Sequence, residues 1–258
     1  MWKPLLILFT LLLAAPTWGN SPQEIRGLIA SGDYEIAQSL AETLETAEGY
    51  ALAAESLSAR ILLGEIKKLN KRSKQARKLS EKALEIDPAH YNARLQYTLT
   101  DGFVTRTSGD LTAWRKKLPT KTLTIIQDFR AAYPDDPKGL ALEGAWNLGV
   151  IRKAGEKNGG KWFGASLTEG ERLYAEARAK APNDILIETN YAMSLLVLDV
   201  ETYGPQAMPI LQAVASLPAP DDLYRKVQNK AAKVLAAFGD DKEIEKLAAR
   251  FLDGKPLD

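Results

Sequence analysis

The sequence predicts an all-α protein built from antiparallel helix hairpins, and one recurring spacing is the main observation behind that prediction. An alanine stands five residues before a proline at four places, which are Ala83 and Pro88, Ala132 and Pro137, Ala177 and Pro182, and Ala215 and Pro220. Small residues let two helices approach closely, and proline ends a helix and begins the next turn. The spacing is typical of the second helix of a repeated hairpin. We expect about five to six hairpins.

Residues 57–90 hold the most complete copy of the pattern, and they resemble a tetratricopeptide repeat. The matching positions of its period of about 34 residues are Leu63, Gly64, Ala76, Ala83 and Pro88. Partial copies occur at residues 32–37, 145–149 and 191–192. This resemblance to a divergent tetratricopeptide repeat (TPR) protein implies a right-handed superhelix, a TPR-like α-solenoid. It also implies that the first helix of each hairpin lines the concave surface.

The first 19 residues resemble a secretory signal peptide. Lys3 precedes an apolar run over residues 5–15, which is shorter than the roughly 20 residues that span a bilayer. Gly19 and Thr17 are small enough for the positions before a cleavage site, so we expect cleavage near Gly19. An uncleaved membrane anchor is the alternative. The mature chain, residues 20–258, is then a single periplasmic or secreted domain without a transmembrane segment.

Six predicted hairpins follow in order, at residues 22–46, 49–88, 91–137, 138–182, 183–220 and 221–253. Two contain insertions, near residues 101–118 and 155–166. The first predicts a loop at residues 105–109 and a short helix. Trp114 on that helix either packs it down, which we expect, or is exposed for recognition. The second predicts a glycine-rich loop around Trp162 and Phe163, either folded over the core or exposed for docking.

The last hairpins should differ from the others. Pro205 and Pro209 predict a helix that is broken or starts late. Residues 221–253 predict two amphipathic helices that cap the open end of the stack. The tail from residue 254 is expected to be loose.

Composition excludes several classes of function. The formal net charge is +1, whereas a nucleic-acid-binding domain normally has a strong basic excess. Cysteine is absent and His90 is the single histidine, so thiol chemistry and zinc sites built from several histidines are excluded. We found no recognisable catalytic motif, metal site or cofactor site. The chain is therefore predicted to be a non-catalytic module that binds another protein or peptide.

Two groups of residues are candidate binding surfaces. A groove on the first helices and the second insertion would use Arg94, Gln96, Tyr97, Trp146, Asn147, Trp162, Phe163 and Asn190. A basic patch consists of Lys67, Lys68, Lys71, Arg72, Lys74, Arg77 and Lys78. Such a run is either a solvated helix face or a contact for anionic lipid headgroups.

Three alternatives to the protein-interaction module remain at this stage. A hydrolase with a site of scattered residues is the first, and the other two are binding roles. One resembles the periplasmic repeat subunits associated with solute transporters and requires an enclosed apolar cavity within the stack. The other is an envelope-assembly factor that docks on an anionic membrane surface through the basic patch, with a salt-sensitive interaction.

Overall fold

A computed structural model describes residues 21–257 and confirms the all-α prediction; this part of the chain contains helices and no strand. The predicted signal peptide, residues 1–19, lies outside the described residues. The helices are α1 (Pro22–Ser31), α2 (Tyr34–Thr43), α3 (Ala47–Leu62), α4 (Leu69–Ile86), α5 (Tyr91–Thr107), α6 (Asp110–Arg115), α7 (Leu118–Ala132), α8 (Pro137–Ala154), α9 (Glu156–Phe163), α10 (Leu167–Lys180), α11 (Ile185–Leu196), α12 (Val200–Ser216), α13 (Asp222–Ala236) and α14 (Asp241–Leu252).

Most helices pack in consecutive pairs. The contacting pairs are α1 with α2, α3 with α4, α5 with α7, α8 with α10, α11 with α12, and α13 with α14. Short connections make the pairs α1–α2, α3–α4, α11–α12 and α13–α14 antiparallel. The short helices α6 and α9 are additions within the third and fourth pairs.

Small residues are buried where helices meet at two of the four alanine–proline sites, whereas Ala132 and Ala215 are exposed. Ala83, Ala177 and the aromatic residue Tyr174 have no solvent exposure. Gly144 on α8 faces α10, because a Cβ added there would lie 2.8 Å from Tyr174 Cδ2 and 3.1 Å from the Gly170 carbonyl oxygen. The close approach of α8 and α10 thus depends on glycine at this position.

The first helices of the pairs form a closed circuit of contacts. Helix α1 contacts α3, α3 contacts α5, α8 contacts α11, and α11 contacts α13. Helix α7 contacts both α5 and α8 and bridges these two helices, and α13 contacts α1. The last pair, predicted to cap an open end, therefore packs against the first pair.

Asp222 is the centre of this closing contact. It lies on α13, is 8% exposed, and accepts a hydrogen bond of 3.3 Å from Tyr34 Oη. Lys226 Nζ is 3.0 Å from Asp222 Oδ2 and 2.7 Å from Glu65 Oε1. Gly32 in the α1–α2 turn has φ of 91°, and a Cβ there would lie 2.3 Å from Asp222 Oδ2. Glycine is thus required at this position for two reasons. The backbone is left-handed, and Asp222 leaves no room for a side chain.

The C-terminal tail is packed, which corrects the expectation that it is loose. Leu257 is buried and belongs to the same hydrophobic core as Tyr34, Leu63 and Phe251. A Cβ at Gly64 would lie 2.5 Å from the carbonyl carbon of Lys255. Residues 254–257 therefore pack against the turn after α3, where the small Gly64 leaves room for their backbone.

Helices replace two of the predicted loops. Helix α5 continues to Thr107, whose hydroxyl donates to the Phe103 carbonyl oxygen at 2.7 Å, so this polar side chain is satisfied within the helix. The predicted glycine-rich loop is the helix α9. Gly159 lies within it against Ile151, where an added Cβ would be 3.0 Å from Ile151 Cδ1. Glycine here permits close helix packing and does not form a turn.

Two further expectations are wrong. Helix α12 runs unbroken through Pro205 and Pro209. Trp114 on α6, predicted to pack, is 61% exposed. Helix α6 contains no buried residue, so it lacks an apolar face that could hold Trp114 against the neighbouring helices.

Gly144→Ala should destabilise the protein by about 2 kcal/mol, because the added methyl group overpacks the α8–α10 contact. Gly149→Ala on the same helix is the matched control, since a Cβ there meets nothing within 4 Å; it should be neutral or slightly stabilising. Urea unfolding measures both. Equal stabilities of the two variants would contradict the packing described.

Asp222→Asn should destabilise the protein by about 2 kcal/mol at neutral pH through lost charge-assisted hydrogen bonds. Burial alone would raise the pKa of Asp222, but Lys226 and Arg225 outweigh it and lower the pKa. The stabilisation is therefore complete above the unfolded-state pKa of about 3.9 and disappears as the pH falls through the folded-state value.

Thermal unfolding across the acid range should show the wild type converging on Asp222→Asn at low pH. Asp128→Asn on the exposed face of α7 is the control and should follow the wild type throughout. A gap between wild type and Asp222→Asn that stays constant with pH would refute this role of the carboxylate.

Candidate functional site

The closed circuit of first helices surrounds a cavity of about 1540 Å³. Its walls come from α1, α3, α5, α8, α11 and α13, with α6 and α9 at one side. Pockets for small molecules usually measure roughly 300–1,000 Å³. The cavity is thus large enough for a ligand longer than an ordinary metabolite.

Helix α5 lines the cavity with one continuous stripe. The stripe consists of Asn92, Leu95, Gln96, Leu99, Phe103 and Arg106. Steps of three and four residues keep side chains on one helix face. With a rise of about 1.5 Å per residue, Asn92 and Arg106 are about 21 Å apart along the helix axis. The stripe is polar at both ends and mostly apolar between them.

Helix α8 provides a second wall with the same polarity. Lys138 stands near its start and Arg152 in its last turn, with apolar residues such as Leu142 and Trp146 between them; all four line the cavity. The starts of the two helices are tied together, because Tyr91 Oη donates to Asp136 Oδ2 at 2.6 Å and Lys138 Nζ donates to Tyr91 Oη at 3.1 Å. The cavity is therefore polar at its ends and apolar along its length.

Polar atoms without a protein partner occur in the wall near the helix starts. Asn92 Nδ2 donates to Glu55 Oε2 at 2.8 Å. One turn along each helix are Ser58 and Gln96, which are 7% and 5% exposed. Ser58 Oγ and Gln96 Oε1 have no hydrogen-bond partner among the described residues. Buried polar groups normally have partners; these two atoms lack one and are almost inaccessible, so they do not themselves offer a contact to a ligand.

Burial raises the pKa of Glu55. The hydrogen bond from Asn92 and the charge of Arg26 oppose this effect, and the charges of Glu48 and Asp221 add to it. Glu48 is itself bound to His90, with 2.8 Å between Glu48 Oε2 and His90 Nε2. The result is a carboxyl group that faces the cavity and is costly to ionise.

The opposite end of the cavity is cationic. Arg106 donates to the carbonyl oxygen of Leu252, and Arg152 Nη1 is 3.1 Å from Asp253 Oδ1. Burial lowers the pKa of the Arg106 guanidinium; Asp253 opposes the shift, whereas Arg152 adds to it. Burial would raise the pKa of Asp253, but Arg152 and neighbouring lysines hold it below its usual value.

Apolar side chains form a rim where α6 and α9 meet the cavity. Leu111, Trp114 and Trp162 are 68%, 61% and 55% exposed and all line the opening. We call these three residues the rim. Trp146 lies deeper and donates from Nε1 to the Pro119 carbonyl oxygen at 2.8 Å. The exposed apolar residues offer a contact surface for a ligand or a partner.

The structure brings most of the predicted groove residues to the cavity. The residues in its wall are Gln96, Trp146, Trp162, Phe163 and Asn190. Three others lie elsewhere. Arg94 Nε donates to the Pro88 carbonyl oxygen at 2.7 Å, and Tyr97 Oη accepts from Arg77 Nη2 at 3.0 Å. Asn147 is buried and accepts the Ser166 N–H at 2.8 Å.

The basic patch lies outside the cavity wall. Its six exposed members are Lys67, Lys68, Lys71, Arg72, Lys74 and Lys78. Arg77 differs, because its Nη1 is 2.9 Å from the buried carboxylate of Asp101. Arg77 therefore joins α4 to α5 and contributes little charge to a free surface.

Sequence reasoning missed Arg106, Arg152, Glu55 and Ser58. The loop predicted at residues 105–109 separated Arg106 from the α5 stripe. Extending the three- and four-residue steps from Gln96 through Leu99 and Phe103 would have reached it. No sequence signal placed Glu55 beside Asn92, since that pairing depends on how two hairpins pack.

The described residues hold no cluster of three or more histidine, aspartate or glutamate side chains suited to a metal ion. None of the helices in residues 21–257 is both long and apolar enough to cross a bilayer. The arrangement offers noncovalent binding: an apolar cavity wall, a hydrogen-bonding wall at one end and guanidinium groups at the other.

Comparison with known proteins assigns the chain to no family. No protein-family model matches the chain, and the search of curated proteins found no match.

Glu55→Gln should be more stable than the wild type at neutral pH. Because the folded-state pKa of Glu55 is raised, the wild type loses stability as the pH rises above the unfolded-state value of about 4.3. Thermal unfolding from acidic to neutral pH should therefore show a gap that widens with pH. Glu85→Gln, an exposed position on α4, should follow the wild type. A destabilised Glu55→Gln at neutral pH would contradict the prediction.

Proposed function

We propose that this protein binds an elongated, largely apolar small molecule inside the cavity formed by its first helices. The observation that carries the proposal is the half-open cavity of about 1540 Å³. Of the functions considered from the sequence, the ligand-binding subunit is the one that requires such a cavity. Reversible binding in a preformed site, without chemistry, is the mechanism.

The lining supports an apolar ligand with few polar groups. Ligand sites are mostly hydrophobic and carry a small number of placed polar side chains that orient the ligand. Here the wall contains many apolar residues, such as Leu99, Leu142 and Ile187, and Arg106 and Arg152 stand together in the last turns of their helices. The ligand should therefore be extended along α5 and α8.

The proposal includes the TPR-like architecture and the secreted location. Six helix pairs with buried small residues at their contacts support a TPR-like superhelix in which first helices face inward. Residues 1–19 support export to the periplasm or outside the cell. A solute-handling role in a periplasm would suit a soluble carrier of an apolar ligand.

A protein partner is the second candidate, and the rim is the surface that favours it. Three large apolar side chains in one area, Leu111, Trp114 and Trp162, are a feature of interaction sites. A partner bound there would cover the cavity opening. The interaction module and the ligand carrier would then be one protein, with the rim as its docking surface.

Filling the cavity should abolish ligand binding. Gly102 on α5 and Gly149 on α8 both line the cavity, and a Cβ at either position meets nothing within 4 Å. Gly102→Phe and Gly149→Phe should therefore occupy ligand space without clashing. We expect each to weaken binding of the neutral fluorescent dye Nile red by about tenfold or more, measured by titration.

Gly27→Phe is the matched control, because Gly27 is also open but lies outside the cavity wall on the exposed face of α1. It should bind the dye as the wild type does. No binding to the wild type, or equal binding by all three variants, would overturn the proposed function. If Trp114→Ala still binds the dye, the rim is not required for binding inside the cavity.

A further inference from the structure

The cationic end of the cavity has more positive than negative charge. Arg106 and Arg152 both line the wall, and Asp253 is the carboxylate between them. Asp253 pairs with Arg152, whereas no carboxylate among the described residues lies within 4.0 Å of the Arg106 guanidinium. One positive charge is thus left to face the cavity.

Arg106 also has hydrogen-bonding capacity to spare. Its described hydrogen bond goes from Nη1 to the Leu252 carbonyl oxygen, and a guanidinium carries five N–H donors in a fixed fork. The carbonyl contact holds the end of α14 against α5. The remaining donors are free to meet a ligand, so the structural and binding roles are compatible.

A charge in this position is costly without a counter-ion. Burial lowers the pKa of Arg106, yet an arginine does not release its proton in a protein. A desolvated charge is therefore stabilised by an anion that enters the cavity. Guanidinium groups match the planar geometry of a carboxylate with two parallel hydrogen bonds.

The length of the apolar part of the wall limits the length of the ligand's apolar chain. From Arg106 back to Gln96, α5 rises about 15 Å, and Phe103 and Leu99 line the cavity between them. One leaflet of a bilayer has a hydrocarbon thickness of about 15 Å, half of roughly 30 Å. A single acyl chain of a membrane lipid therefore fits the distance from Arg106 to Gln96 along the stripe.

We infer that the cavity takes an amphipathic carboxylate, a molecule with one ionised carboxyl group and an apolar chain of about 15 Å, with its carboxylate on Arg106 beside Arg152. This inference rests on the proposed function and names the ligand class for that cavity. A carboxylate balances the single unpaired charge. A phosphate monoester, which carries about −1.5 to −2, would exceed it.

The test compares hexadecanoic acid with hexadecanol, which have the same chain length and differ in charge. Each competes with Nile red on the full mature chain, at a pH well above the pKa of the acid. The wild type should bind the acid about tenfold or more tightly than the alcohol. Hexadecyl phosphate, a third competitor, should bind less tightly than the acid; tighter binding would overturn the carboxylate assignment.

Arg106→Met should remove the preference for the acid and leave binding of the alcohol unchanged, because methionine keeps an unbranched apolar side chain. Arg106→Lys retains the positive charge and should keep part of the preference for the acid. If Arg106→Met does not fold, Arg106→Lys takes its place in the test. Arg94→Met is the matched control. Arg94 lies on the same helix, also donates to a backbone carbonyl, and stands outside the cavity wall.

The outcomes separate this inference from the proposed function. Equal binding of acid and alcohol, unaffected at Arg106, would overturn the carboxylate site and leave the apolar cavity intact. Failure of the dye to bind would overturn the cavity itself, whereas failure of every competitor to displace bound dye would overturn the carboxylate site alone. Loss of acid preference in Arg94→Met as well would show that the effect arises from general charge.

Discussion

The contact between the first and last helix pairs is the constraint on which the remaining structure depends. Asp222 joins α13 to Tyr34 across 188 residues of sequence, and residues from both halves of the chain share the largest hydrophobic core. Without this contact the first helices would face an open groove. With it, their inner faces surround a half-open cavity.

Because the helix circuit is closed, each first helix needs two different faces. One face must pack against its partner helix, and another must line the cavity. On α5 the packing face includes Ala93 and Val104, which are buried, whereas the cavity face carries Gln96 and Arg106. Apolar and polar residues therefore occur around much of the helix, and its hydrophobic pattern is weaker than that of α13 or α14, which have one apolar face.

This difference explains how much the sequence could predict. Helix class and some of the close contacts follow from local chemistry, because Ala83, Ala177 and Gly170 are buried where helices meet. The equivalent Ala132 and Ala215 are exposed. Glycines mislead when they serve packing, as Gly159 does within α9. The closing contact and the cavity depend on the summed geometry of six pairs, which no local pattern encodes. Arg106 was accordingly assigned to a loop, although it completes the α5 stripe.

The polar groups in the cavity wall lower the stability of the folded protein, and this cost indicates that the wall binds a ligand. Burial opposes ionisation of Glu55 and charge on Arg106, and Ser58 and Gln96 leave buried oxygen atoms without partners. An unpaired buried polar atom costs about 1–3 kcal/mol, and Ser58 and Gln96 each carry one. Sequences depart from such rules mainly where function requires it. A ligand that is anionic at one end and apolar along its length would satisfy Arg106, the most costly of these groups.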